Sequence, residues 1–366
     1  MALTLALTLG SLLAEASASH AGHGRGSPWH SPNNCSAWDL KKFTSLVTFG
    51  DSYTDDSRAG YFAENNGTAP PVGYDNPVNY NSASGGRAWP QYVKQYSGIN
   101  LYNYAVSGAV CSNTITPRNF YPTFLFPSVE EYEVPAFEAD SKYIKPDGTK
   151  FMYNPSDETV YSIWIGTNDL GNNALLTDSQ VKGTNIVNYT DCVYDQLKRL
   201  YDQGGRYFVL QNVAPLNLAP MYATLENGGM SGPSRYWPIA PENITQASGR
   251  MMEQVVTVNA IYEYQTPFVK RITKEFEDAR FAVFDMHALI SDIYYHPALY
   301  LNGSAPLNVQ SYTNKCNVTG GDCVRDPNPD SFLWFDALHP SEQTDRVIAR
   351  EFVDVVKGGS KWARYW

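Results

Sequence analysis

Ser45-Leu-Val-Thr-Phe-Gly-Asp-Ser-Tyr-Thr54 is the first stretch of the chain with a clear strand pattern. Leu46, Val47 and Phe49 suit a buried pleated surface, and Gly50-Asp51-Ser52 then breaks the run with turn residues. A near-continuous apolar strand, in place of strict alternation, is expected where both faces of a parallel sheet are covered. Ser52 is therefore expected just beyond the carboxyl end of a buried strand.

Four later runs share this character: Leu101 to Val106, Thr159 to Gly166, Arg206 to Asn212 and Arg280 to Asp285. Each is short, rich in β-branched or aromatic residues and bounded by turn residues. Between them, and after the last, helical patterns run over Trp89 to Tyr96, Ile186 to Tyr201, Arg250 to Phe276 and Ser341 to Val356. In the second, Val187, Val193, Tyr194, Leu197, Leu200 and Tyr201 recur at helical spacing, and Gly204-Gly205 stops it before a strand. Alternating strands and helices predict a doubly wound, flavodoxin-like α/β sandwich of three layers around a parallel five-stranded sheet. Phe120 to Asp157 and Asn217 to Thr245 are rich in Pro and Tyr and lack a period. They are expected as surface insertions in one domain spanning residues 43–366.

Ahead of this pattern, Leu3 to Ala14 is apolar and is followed by Ala14-Glu15-Ala16 and Ala16-Ser17-Ala18. An apolar stretch closed by A-x-A sites predicts a signal peptide over residues 1–18, and residues 19–42 are expected as a flexible lead-in. No later stretch approaches the length of a membrane span. Six N-x-S/T sequons, at Asn34, Asn66, Asn188, Asn243, Asn302 and Asn317, fit an exported and glycosylated protein. Secretion to the extracellular space is the expectation.

The chain has 366 residues, 43% hydrophobic and 17% charged, with a formal charge of −10. That is a globular composition, and no basic run gives it the footprint of a nucleic-acid binder. Among five cysteines, Cys316 and Cys323 are expected to close a short loop as a disulfide. The pairing of Cys35, Cys111 and Cys192 stays open, and an odd count leaves at least one thiol over.

In an open parallel sheet, ligands gather at the carboxyl ends of the strands. There the sequence places Gly50-Asp51-Ser52-Tyr53, Ser107-Gly108-Ala109 and Gly166-Thr167-Asn168-Asp169, with Asp336-Ala337-Leu338-His339-Pro340 near the end. These blocks, in this order, resemble those that define the GDSL (SGNH) hydrolases. The flanks Thr48 to Thr54 and Trp334 to Pro340 are further similar to fungal members classed as carbohydrate acetyl esterases. The resemblance implies an SGNH sandwich with Ser52 as nucleophile, Asp336 and His339 completing a triad, and Ser52, Gly108 and Asn168 forming an oxyanion hole.

The chemistry of the residues leads to the same roles. A serine hydroxyl needs a base to take its proton, and a strand-to-helix turn can expose it beside its own amide. His20, His23 and His30 lie in the lead-in, which leaves His287, His296 and His339 as candidate bases. Asp336, three residues before His339, can reach the imidazole Nδ1 and stabilise the imidazolium. Pro340 favours the first helical position, which would put His339 at a helix N-terminus. Asp285 and His287 offer a rival pair, better explained as a hydrogen-bonded strand end, and His296 reads as a surface turn residue. Asn168 can supply a side-chain amide and Gly108 an unobstructed backbone N–H. Asp51 and Asp169 read as turn braces, and Asp55-Asp56 as a turn or helix-start pair.

No H-x-x-H or H-E-x-x-H occurs, so the sequence gives no support to a metal-dependent deacetylase. A carbohydrate-binding protein would account for export and aromatic residues but not for four blocks at strand ends. Glycoside hydrolysis would require two carboxylates across a cleft. The expected function is a serine esterase acting on short, chiefly acetyl, esters of hemicellulose-derived sugars, with a longer-chain acylhydrolase as the alternative. Its partners are expected to be a small ester or an acetylated oligosaccharide, with no cofactor and no metal, and the enzyme is expected to be a monomer.

Overall fold

The computed structural model describes residues 37–121, 124–230, 232–304 and 306–366. The signal segment, most of the lead-in, Asn34 and Cys35 lie outside these residues. Five parallel strands form the expected sheet: β1 Ser45–Gly50, β2 Asn100–Asn103, β3 Thr159–Trp164, β4 Tyr207–Gln211 and β5 Arg280–Phe284. A sixth, β6 Ala363–Tyr365, adds antiparallel to β5. The strand order is β6-β5-β4-β3-β1-β2. β1 therefore pairs in parallel with both β2 and β3. The chain leaves β1 toward one edge and crosses back to β3, so a crevice opens between the carboxyl ends of β1 and β3.

Among the described residues seven α-helices accompany the sheet: α1 Arg58–Glu64, α2 Trp89–Ser97, α3 Val134–Asp140, α4 Ile186–Asp202, α5 Ile244–Pro267, α6 Met286–Tyr295 and α7 Glu342–Val356. On one face α2 meets α7 through Trp89 and Phe352, whose rings lie 4.8 Å apart. Phe137 of α3 reaches Tyr161 of β3 at 5.6 Å, and α4 joins α5 through the Tyr189 and Tyr262 hydroxyls at 2.9 Å. With both faces covered, every residue of β1, β3 and β4 is buried, which explains their unbroken apolar character. Local signals set the helix ends. Asn185 caps α4 by accepting from the Val187 N–H, and Gly98 ends α2 in the left-handed region.

Several expectations need correction. Among the described residues the sheet has six strands in place of the expected five, because a strand as short as β6 carries no sequence pattern of its own. The lead-in does not stay flexible to residue 42: Trp38 is buried, 5.4 Å from Tyr207 and 6.0 Å from Tyr365, since an indole gains by leaving water. Residues 120–157 are more than a surface insertion, because α3 buries Val134 and Phe137. Helix α7 starts at Glu342, not at Pro340, because the Ser341 side chain accepts from the Thr344 N–H and is the better cap.

Among the described residues there are two disulfides, the expected Cys316–Cys323 and a second, Cys111–Cys192, which ties the loop after β2 to α4. Asn66, Asn188, Asn243, Asn302 and Asn317 are all exposed. Among the described residues no helix is long and apolar enough to cross a membrane.

Candidate active site

Ser52 follows β1 in a turn closed by hydrogen bonds from the Thr54 and Asp55 N–H groups to the Asp51 carbonyl, both 2.9 Å. The Asp51 side chain braces the same turn by accepting from the Tyr53 N–H at 3.0 Å. Gly50 is obligatory at the strand end, since its φ is +148° and a Cβ would stand 2.2 Å from the Trp164 carbonyl oxygen. Below this turn Glu133 accepts from the N–H groups of Gly50 and Val106 and so ties the ends of β1 and the segment after β2 together. Burial pushes its carboxyl well above the usual carboxylate range.

The remote end of the chain completes the constellation. His339 Nε2 lies 2.8 Å from Ser52 Oγ, and His339 Nδ1 lies 2.9 Å and 3.0 Å from the two oxygens of Asp336. Asp336 Oδ1 also accepts from the N–H groups of Leu338 and His339, as a carboxylate three residues ahead of a histidine can when the chain turns tightly. Burial raises the Asp336 carboxyl, but the facing imidazole and these donors outweigh it and hold the group below its ordinary value. Ser52, Asp336 and His339 are all buried, yet all three line one open cavity of about 930 Å³.

The other sequence-selected residues meet at the same place. Gly108 sits at φ +89°, where a Cβ would stand 2.3 Å from the Phe126 ring, so no other residue fits this turn. Its loop is pinned by Asp55, whose Oδ2 accepts from the Ser107 N–H at 2.8 Å and hydroxyl at 2.7 Å. Asn168, in the turn after β3, donates from Nδ2 to the Ala109 carbonyl at 2.8 Å. The N–H groups of Ser52 and Gly108 take no hydrogen-bond partner among the described residues. Asp169 braces the loop after β2, accepting from the Cys111 N–H and the Thr116 hydroxyl.

The rival histidines lie elsewhere. Asp285 caps α6 through the Ala288 N–H and holds Asn212. His287 stands in that helix, not at a strand end, and its backbone N–H donates to Asn212. His296 is exposed and pairs with Asp292 at 2.8 Å.

Three contributors were given no role by the sequence, although Tyr53 lies in the block that follows β1. Tyr236, in the insertion after β4, donates to Asp336 Oδ2 at 2.7 Å. Tyr53 donates to the Leu338 carbonyl at 2.7 Å and stands edge-on to the His339 ring. Arg118 donates to Asn168 Oδ1 at 2.6 Å. Among many tyrosines and arginines, only the folded chain distinguishes Tyr236 and Arg118.

A parallel sheet with a hydrogen-bonded Ser–His–Asp chain at the carboxyl ends of its strands defines a serine-hydrolase type of site. The chain belongs to the GDSL-like lipase/acylhydrolase family, whose model matches residues 46–352, and it is a carboxylic ester hydrolase. It is 41% identical over 330 residues to an acetylesterase of Hypocrea jecorina, covering 88% of this chain and 92% of that protein. An acetylesterase of Thermothelomyces thermophilus is 28% identical over 326 residues, covering 86% of this chain and 88% of that protein. GDSL esterase/lipase EXL4 of Arabidopsis thaliana is 25% identical over 169 residues, 44% of this chain and 41% of that protein.

Proposed function

We propose that this protein is a secreted acetyl esterase that deacylates sugars derived from hemicellulose, with Ser52 as nucleophile, His339 as general base and acid, and Asp336 as the group that orients and stabilises the imidazolium. The observation that carries this reading is the continuous hydrogen-bonded path from Asp336 through His339 to Ser52, with steps of 2.9 Å and 2.8 Å. Ser52 Oγ attacks the ester carbonyl as His339 Nε2 takes its proton. The resulting oxyanion is met by the N–H groups of Ser52 and Gly108 and by Asn168 Nδ2. His339 then returns the proton to the departing sugar hydroxyl, leaving an acyl group on Ser52, and a water activated by the same imidazole releases acetate.

The preference for acetyl draws support from the two fungal relatives named acetylesterases. Tyr74, Tyr236, Tyr312 and Phe335 line the cavity and offer aromatic faces to a sugar. Export is supported by the apolar leader over residues 1–18, by the exposed sequons and by two disulfides, which persist in oxidising compartments. The enzyme acts as a monomer, with residues 43–366 as its catalytic domain. A chain-length series of nitrophenyl esters beside acetylated xylo-oligosaccharides tests the reading. Activity should fall steeply beyond butyrate and acetate should be released from the oligosaccharides. A steady rise in kcat/KM toward octanoate would favour a long-chain acylhydrolase instead, since each methylene accommodated in an apolar pocket gains about 0.8 kcal/mol.

A further inference from the structure

Two hydrogen bonds decide which way the Asn168 carboxamide faces. Arg118 Nη1 donates to Asn168 Oδ1 at 2.6 Å, and Asn168 Nδ2 donates to the Ala109 carbonyl at 2.8 Å. A guanidinium can only donate and a carbonyl can only accept, so both partners select the same one of two nearly isosteric orientations. That orientation leaves the second Nδ2 hydrogen for the cavity that Ser52 and Gly108 also line. The reversed amide would turn a carbonyl oxygen toward a developing negative charge.

Arg118 is itself committed to this place. Its carbonyl accepts from the Phe126 N–H at 2.8 Å and its own N–H donates to Asn113 Oδ1 at 3.2 Å, which anchors it beside the antiparallel strand pair Asn119–Tyr121 and Phe124–Leu125. The guanidinium lies 5.7 Å from the Phe126 ring centroid, and the same ring closes over Gly108. Among the described residues no carboxylate forms an ion pair with it. Desolvation accordingly lowers its pKa, although a guanidinium remains charged near neutrality. A cation with no direct ion pair, its field reaching the buried carboxyls of Asp169 and Asp51, is bonded to the amide oxygen of Asn168; it draws electron density through the amide and makes its N–H a stronger donor.

We propose that Arg118 is a positioning residue of the oxyanion hole, fixing the Asn168 carboxamide with Nδ2 toward the reacting oxygen and polarising that N–H. This rests on the reading of Asn168 as an oxyanion donor. Because Arg118 acts through Asn168, the two side chains should not contribute independently.

The test is a double-mutant cycle on the full-length enzyme with nitrophenyl acetate, using Arg118→Met, Asn168→Ala and the double variant, with Ser52→Ala as control. Arg118→Met should lower kcat about 10- to 100-fold with little change in KM. The double variant should be no slower than Asn168→Ala alone, within about twofold. Arg118→Lys, which keeps the charge but loses the planar fork, should recover part of kcat and carries the cycle if the methionine variant does not fold. Losses that multiply in the double variant, or a loss confined to KM, would overturn the proposal. An active Ser52→Ala variant would instead overturn the esterase mechanism on which the proposal rests, so the two failures are separable.

Discussion

Tyr236 donates its hydroxyl hydrogen to Asp336 Oδ2 across 2.7 Å, and its ring stands edge-on to His339 with centroids 5.2 Å apart. One side chain thus supports both the carboxylate and the imidazole. The phenol's own pKa is raised, by burial first and then by the Asp336 charge it faces, so it stays a donor at any working pH.

Removing that hydroxyl should weaken the carboxylate without disturbing the substrate. Tyr236→Phe is expected to lower kcat by roughly tenfold or somewhat more, the value of a hydrogen bond to a charged group, with KM nearly unchanged. Steady-state kinetics on nitrophenyl acetate check it. An unchanged kcat would show that the N–H donors to Asp336 suffice.

Loss of the reacting groups themselves should be far more severe. Ser52→Ala and His339→Ala should each reduce kcat by several powers of ten, and Ser52→Ala should abolish labelling by an active-serine phosphonate. Asn168→Ala should cost about 2.7–4 kcal/mol of transition-state stabilisation, seen in kcat. A pure KM effect would mark Asn168 as a binding residue.

The two disulfides close loops of very different length, with sequence separations of 81 and 7. Chain-entropy arguments give roughly 4–5 kcal/mol for the longer loop and roughly 2–3 kcal/mol for the shorter. The double variant Cys111→Ala/Cys192→Ala should therefore shift the urea midpoint further than Cys316→Ala/Cys323→Ala. Equal shifts would refute the ranking.

Burial raises the carboxyl of Asp169 to about 7 and that of Asp51 to about 6, whereas both lie near 3.9 in an unfolded chain. At pH values well below 3.9 both are neutral in either state and the folded protein suffers no penalty. As pH climbs from there to 7 the unfolded chain ionises first and binds fewer protons, so stability falls. The loss for Asp169 alone is on the order of 4 kcal/mol. Asp336, held low, acts in the opposite sense and only at more acid pH. Urea melts from pH 4.5 to 8 should thus show wild-type stability declining and Asp169→Asn flattening the decline. Parallel curves for the two proteins would sink this assignment.

Much of the architecture could be read from the chain because its signals are local. Strands β1, β3, β4 and β5 and helices α2, α4 and α7 lie within a few residues of where apolar patterning puts them. Ser52, Gly108, Asn168, Asp336 and His339, which line one cavity, could be picked out as candidates because each follows a strand or sits in a tight turn whose sequence is distinctive. Helix α6 was missed because Asp285 and His287 resembled a strand end. In the structure Asp285 is a cap that starts the helix. Tyr236 and Arg118 were illegible for a different reason: their partners stand 100 and 50 residues away, and nothing near them in sequence distinguishes them from an ordinary surface tyrosine or arginine.

The insertion holding Tyr236 and the strand pair beside Arg118 form part of the cavity wall while also supporting Asp336 and Asn168. On the proposed mechanism, substrate choice and turnover are therefore built from the same loops. Anyone transplanting residues 217–245 from a relative to redirect specificity would be exchanging a buttress of the triad along with the wall. Such chimeras should recover speed only when the incoming loop brings a hydroxyl to the position that Tyr236 occupies.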